Sequence, residues 1–336
     1  MEKQFKTLIE ASSRILITSH ISPDPDAVCS VLLLGSTLAL NYPSKEVTVS
    51  LEEEPENLSY LSGYEQIKFQ PLADAVESYE PELLIITDAS SLQRCTRADV
   101  KVLKNGLAQQ AVKTAAIDHH QPDGADKFDI YLNELSIAVT QDIYTLCFDL
   151  LGLKRPEGYG FTAMTGIYSD SGGFVYANSD PEKTFKIVGE LLKDGVSLEK
   201  VKNQLQQYSD KQMAVIGELA SNISHGQDYT FSFISDDFYT KWPKDNSSAR
   251  SLHVACKIFV DNYIRNIEGY NWGFIVYRDS LLGERGYSVS LRSVAGVKDV
   301  SQIAKKLEGG GHIPAAGGKV KADSVDEAVQ KVQACL

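Results

Sequence analysis

The residues best equipped for chemistry are His20, Asp24 and Asp26. They crowd the end of the apolar run Ile15-Leu16-Ile17-Thr18, in the stretch His20-Ile21-Ser22-Pro23-Asp24-Pro25-Asp26. Pro23 and Pro25 remove backbone donors and hold the turn extended, so carboxylates two residues apart share a face and repel unless a cation lies between them. One imidazole and two carboxylates on such a turn form a donor set for a divalent metal. Taken alone, the turn is equally compatible with Asp26 capping the following helix and His20 being an ordinary strand-end residue.

The pattern recurs. An apolar run over residues 83–87 ends in Asp88, and another over 114–117 ends in Asp118-His119-His120. Asp170 precedes Gly172-Gly173, where the chain can bend freely, although the same segment also reads as a helix-ending turn. Asp24, Asp26, Asp88 and Asp170 converging in one partly buried cleft would carry about four negative charges, which burial does not tolerate without counter-ions. Two divalent ions would neutralise them. Mixed imidazole and carboxylate donors suit manganese better than calcium, although affinity alone lets zinc or cobalt compete. Ions ~3.5–4 Å apart share a water, lower its pKa and clamp a phosphate for in-line attack, so the expected reaction class is phosphoester hydrolysis.

These residues need a scaffold that delivers strand ends to one edge. The apolar runs at 15–18, 83–87 and 114–117 read as buried strands, residues 27–40 as a helix, 46–51 as a further strand and 52–57 as a loop. Continuous apolar strands separated by helical segments indicate a parallel, Rossmann-like sheet covered on both faces, with its ligand site at the carboxyl ends of the strands. Helices are expected over 137–151 and 161–168, and the mostly helical 181–223 reads as a link. From residue 229 short alternating runs (229–234, 272–278, 286–292) and helices (248–260, 300–307, 324–334) indicate a smaller α/β domain with a mixed sheet. The expected division is 1–185, a helical linker over 186–226, and 227–336.

In the second part, Gly309-Gly310-Gly311-His312 reads as a loop whose backbone N–H groups can approach an anion, with His312 adding a donor. Arg292, at a strand end, can make a bidentate contact to phosphate; a solvated surface arginine is the alternative. His225 and His253 have no comparable neighbourhood and read as structural.

Composition narrows the class. At 336 residues the chain exceeds the usual single core, and 43% hydrophobic residues suffice for two. The longest apolar candidate, residues 31–40, contains Gly35, Ser36 and Thr37 and is too short for a membrane span; Met1-Glu2-Lys3-Gln4 is charged, so a cytoplasmic protein is expected. Five scattered cysteines without a Cys-x-x-Cys pair read as reduced bystanders. A net charge of −12 opposes binding to long nucleic acid while leaving room for a small anion in a local pocket.

Together, His-x-x-x-Asp-x-Asp, Asp88, Asp118-His119-His120, Asp170 and Gly-Gly-Gly-His, in this order over nearly the whole chain, resemble the DHH family of phosphoesterases with its DHH-associated C-terminal domain. The soluble two-domain layout looks most like the family's group of bacterial oligoribonucleases and pAp phosphatases that degrade nanoRNA. The resemblance implies a two-metal site, usually manganese, with His20, Asp24 and Asp88 on one ion and Asp26, Asp88, His119 and Asp170 on the other. It also implies His120 beside the scissile phosphate, Asp118 orienting the histidines, and Arg292, Gly310, Gly311 and His312 gripping a nucleotide. Expected partners are short RNA or a small nucleotide, with no long duplex and no membrane; a homodimer is left open. Cys29 stands where the group commonly has glycine, and Ser171 where threonine is frequent; neither removes a ligand. Linear or cyclic signalling dinucleotides are alternative substrates. A non-catalytic nucleotide sensor is the alternative of another class, disfavoured because every implied ligand position is filled.

Overall fold

The computed structural model describes residues 2–55, 57–120, 126–176, 179–279, 282–283 and 285–336. The chain forms two compact units that divide between Gln207 and Tyr208.

The first unit runs α1 (Glu2–Ala11), β1 (Arg14–Thr18), α2 (Pro25–Asn41), β2 (Glu46–Leu51), β3 (Lys68–Phe69), α3 (Leu72–Tyr79), β4 (Leu83–Thr87), α4 (Val100–Gln109), β5 (Lys113–Asp118), β6 (Ile130–Asn133), α5 (Val139–Tyr144), α6 (Tyr159–Asp170), α7 (Pro181–Lys193) and α8 (Leu198–Leu205). All strand pairs are parallel, in the order β3-β2-β1-β4-β5-β6. The chain therefore winds outward from β1 in one direction and from β4 in the other, and the crevice where it reverses lies at the carboxyl ends of these two strands. Alternation explains the two-sided covering. Ile15, Ile17, Leu83, Ile85, Ala115 and Ile117 face one core with α2, α5 and α6, while Leu16, Leu84, Ile86 and Ala116 face another with α3 and α4.

Asp24, not Asp26, caps α2: its Oδ1 accepts from Ala27 N at 3.1 Å, and Pro25 occupies the first turn, where no backbone donor is needed. The helix expected over 137–151 is α5 continued by a π-helical turn, Thr145–Leu150.

The second unit runs α9 (Asp210–Ser221), β7 (Ser224–His225), β8 (Thr230–Phe233), α10 (Asp236–Lys241), α11 (Asn246–Phe259), β9 (Trp272–Arg278), β10 (Gly286–Ser293), α12 (Val300–Lys306), β11 (Gly310–His312), β12 (Ala315–Lys321) and α13 (Val325–Gln333). Its sheet, ordered β11-β12-β10-β9-β8-β7, is antiparallel except for the parallel β8–β9 pair. Ile275 and Tyr277 pack against α9 and α11; Trp272, Phe274, Val276 and Leu291 pack against α12 and α13. The segment 186–226, expected as a link, is shared: Ile187, Leu191 and Val201 enter the core of the first unit, and Val215 and Leu219 that of the second. Among the described residues no helix is long and apolar enough to cross a membrane.

The glycine run departs from the expected loop. It forms β11, an edge strand hairpinned onto β12 through Ile313-Pro314. Side chains would prevent this: a Cβ on Gly309 would overlap the Gly317 carbonyl, and one on Gly311, whose φ is 135°, would lie 2.6 Å from Ala316 Cα. Gly310 has open space around its Cβ position. Gly309→Ala is therefore expected to destabilise the second unit by about 1–3 kcal/mol in urea unfolding, while Gly310→Ala changes its stability by less than about 0.5 kcal/mol.

Candidate metal centre and phosphate-binding edge

The turn after β1 supplies His20 and Asp24, the first turn of α2 supplies Asp26, Asp88 follows the last residue of β4, β5 ends on Asp118 with His119 and His120 just beyond, and Asp170 is the last residue of α6. The structure brings His20, Asp24 and Asp88 into one group, Asp26, His119 and Asp170 into a second, and Asp88, His119 and His120 into a third, with donor atoms of each group within 4.8 Å of one another. Asp88 sits in the left-handed region at φ 58°, which aspartate tolerates better than most residues.

The donor chemistry fits divalent ions. His20 Nδ1 is 2.8 Å from the Ile21 carbonyl and His119 Nδ1 is 3.1 Å from the Ser136 carbonyl. A carbonyl only accepts, so each Nδ1 carries the hydrogen and each Nε2 of the neutral ring presents a lone pair. Those lone pairs face carboxylates: His20 Nε2 lies 3.3 Å from Asp88 Oδ2, and His119 Nε2 lies 3.2 Å from Asp88 Oδ1 and 3.4 Å from Asp170 Oδ2. Acceptor against acceptor at this range requires a proton or a cation between them. Asp88 Oδ1 is buried and has no partner in hydrogen-bonding geometry among the described residues.

Titration behaviour without an ion shows the same imbalance. Burial, followed by the charges of Asp88 and Asp170, pushes Asp26 well above the usual carboxylate range; burial and the Asp24 charge carry Asp170 up to about 6. Burial works against a charged His119, but contact with Asp88 and the charges of Asp26, Asp88 and Asp170 outweigh it and raise its pKa to about 10. Asp88, which burial alone would raise, is held far below its ordinary value by the His119 and His20 rings.

The remaining contacts hold these donors in place. Asp26 is fully buried and accepts from Val139 N at 2.7 Å and Thr140 N at 3.0 Å, the opening turn of α5. Asp118 Oδ1 accepts from His119 N at 3.0 Å and faces His120 Nδ1 at 2.8 Å, which leaves Nε2 of the half-exposed His120 ring free for other contacts. Tyr131 and Asn133 on β6 brace Asp118 and the His120 backbone. Sequence patterns give no sign of Ser136, or of Gly166 on α6, where a Cβ would overlap Thr140 Oγ1 and lie 3.0 Å from Asp26 Oδ1.

In the second unit Arg292 and His312 both register with Ala315 across β10-β12-β11, so their side chains project from the same face of the sheet. Arg292 is not free: its Nε donates to Asp261 Oδ1 at 2.6 Å, from the π-helical turn Val260–Ile264 that follows α11. Asp261, remote in sequence, holds Nε, and Nη1 donates to the Leu291 carbonyl at 2.9 Å, which leaves Nη2 for a ligand. Gly310 and Gly311 lie on the exposed edge strand, where alternate backbone groups point away from the sheet. His225 stacks on Tyr270 at 4.4 Å and His253 meets the Tyr277 hydroxyl at 3.3 Å; neither belongs to the donor groups.

Fold and donors together define a two-unit α/β protein whose first unit presents a His/Asp cluster, able to hold divalent metal, at the switch point of a parallel sheet. Residues 14–157 match the DHH family N-terminal domain and residues 249–336 the DHHA1 domain, and the chain belongs to the DHH family. It is 28% identical to the bifunctional oligoribonuclease and PAP phosphatase NrnA of Thermus thermophilus, over 95% of this chain and 87% of that protein. The protein of the same name from Bacillus subtilis is 27% identical over 95% and 93%. In fold it is similar to an exopolyphosphatase-related protein from Bacteroides fragilis, with a TM-score of 0.80 at 23% identity, covering 99% of this chain and 94% of that one.

Gly166→Ala should drive Thr140 against Asp26. The expected outcome is about 1–3 kcal/mol lower stability and weaker Mn2+ binding in a calorimetric titration. Unchanged values for both would mean that α6 does not support Asp26.

Proposed function

We propose that this protein is a metal-dependent phosphoesterase, using two manganese ions, that hydrolyses short oligoribonucleotides and 3'-phosphoadenosine 5'-phosphate. The observation that carries the reading is that Asp88 turns each of its two oxygens to a different histidine, Oδ2 to His20 and Oδ1 to His119. A carboxylate so placed can bridge two ions. The activities come from the names of the relatives, oligoribonuclease and PAP phosphatase, together with the DHH family match.

In this reading His20, Asp24 and Asp88 hold one ion, and Asp26, Asp88, His119 and Asp170 hold the other. When bound, the ions supply a water of lowered pKa and neutralise charge on the phosphate. The chain supplies the rest. Asp118 holds His120 by Nδ1, so its Nε2 can donate to a phosphate oxygen or pass a proton to the leaving oxygen. The hydrogen bonds of His20 and His119 to carbonyls prevent their rings from turning away. On the second unit, the free part of the Arg292 fork, the His312 ring and the backbone of Gly310 and Gly311 receive a terminal phosphate. This grip suits a compact end group, and the net charge of −12 disfavours each further phosphate of a long strand.

Asp88→Asn should abolish hydrolysis in a protein that remains folded. His120→Ala should lower kcat by about 10²–10⁴-fold while metal content by elemental analysis stays at the parent level; loss of one ion per chain would instead make His120 a ligand.

A panel of pAp, RNAs of graded length, linear and cyclic dinucleotides and pyrophosphate, run with manganese, tests the substrate class. The highest kcat/KM is expected for pAp or RNAs of two to about five nucleotides, falling with length at fixed salt. Arg292→Ala should cost roughly 1.5–3 kcal/mol on the short substrates. Equal or faster cleavage of a 20-nucleotide RNA would overturn the length preference.

A further inference from the structure

We infer that Glu53, in the loop after β2, is a positioning residue for one ion of the pair, the ion held by His20 and Asp24; the inference rests on the two-metal reading above. His20 and Asp24 are separated by the turn Ile21-Ser22-Pro23, and Ser22 occupies the left-handed region at φ 52°. That conformation is unfavourable for a residue with a Cβ, so the turn needs outside support to persist. Glu53 provides it: its Oε2 accepts from Ser22 N at 2.8 Å and from Ser22 Oγ at 2.9 Å. Arg97, in the segment before α4, closes the arrangement by donating from Nε to Glu53 Oε1 at 2.6 Å and from Nη2 to Ser22 Oγ at 3.0 Å. Ile21 N is tied to the Arg94 carbonyl at 2.8 Å, and the Ile21 carbonyl in turn receives His20 Nδ1.

Both ligands are thereby fixed by the shape of this one turn. His20 takes its ring orientation from the Ile21 carbonyl, and Asp24 is spent in part on capping α2, so neither can swing to compensate if the turn relaxes. Asp26, His119 and Asp170 depend on none of it. Asp26 is anchored to α5, His119 to the Ser136 carbonyl, and Asp170 to the end of α6. The two halves of the centre therefore have separate supports, and weakening the Glu53 contacts acts on one half.

The test is Mn2+ titration of the full-length protein by calorimetry and electron paramagnetic resonance, with kcat and KM for pAp measured alongside. Glu53→Ala should raise the dissociation constant of one ion by about 10–100-fold and leave the other near the parent value. At saturating Mn2+ kcat should recover and KM stay unchanged. Arg97→Ala, which removes one contact to Glu53 and one to the Ser22 hydroxyl while keeping both Glu53 contacts to Ser22, should shift the same ion by a smaller factor. Ser22→Gly, which relieves the left-handed strain, should restore part of the lost affinity when combined with Glu53→Ala. Parent affinity for both ions in Glu53→Ala and Arg97→Ala, or equal loss at both, would overturn the inference. Failure of the underlying reading shows in the parent itself: a chain that binds fewer than two Mn2+ removes the two-metal site and this inference together, whereas normal two-ion binding with no effect at Glu53 removes the inference alone.

Discussion

A carboxylate that is 2% exposed, flanked by two imidazole nitrogens and near three further aspartates, is stable only if positive charge sits among these groups. Asp88 imposes that condition on everything around it. In the absence of an ion the charge must come from protons, which is why His119 holds its proton to about 10 and Asp170 retains one up to about 6. Divalent ions satisfy the same requirement with donors that need not move, because each histidine is already oriented by a backbone carbonyl and Asp26 by two backbone amides.

The doubly wound sheet makes the cluster affordable. Three adjacent parallel strands, β1, β4 and β5, end at the same edge, so ligands separated by up to about a hundred residues arrive without long loops. Among the described residues, Ser22, Asp88, Phe174 and Glu308 have positive φ near the strand ends and the glycine edge, while Asn57, Glu80 and Ala111 have it in turns elsewhere. The first four lie within four residues of a donor or of the glycine run, where strain can serve positioning.

The strands and their terminal ligands were readable because each is a mostly apolar run with aspartate or histidine at or just beyond its end, a signal carried by neighbouring residues. The fold class follows from the same runs and agrees with the structure. Other features depend on contacts far apart in sequence and leave no local mark. Ser136 supports His119 through a carbonyl that every residue possesses, Asp261 meets Arg292 across 31 positions, and Gly166 matters only because α6 passes against Thr140 and Asp26. The glycine run misled for a related reason. Without side chains it shows no strand periodicity, yet that absence is what lets β11 lie against β12. At the first turn the sequence offered Asp26 as the possible cap, whereas the geometry gives the cap to Asp24.

Asp88 is proposed to join two ions held by otherwise separate donor groups. Anomalous diffraction from crystals of the manganese-loaded protein tests it most directly. Two manganese peaks about 3.5–4 Å apart are expected, one contacted by His20 and Asp24, the other by Asp26, His119 and Asp170, with one oxygen or both oxygens of Asp88 shared between them. A single peak, or two peaks that do not share Asp88, would contradict it.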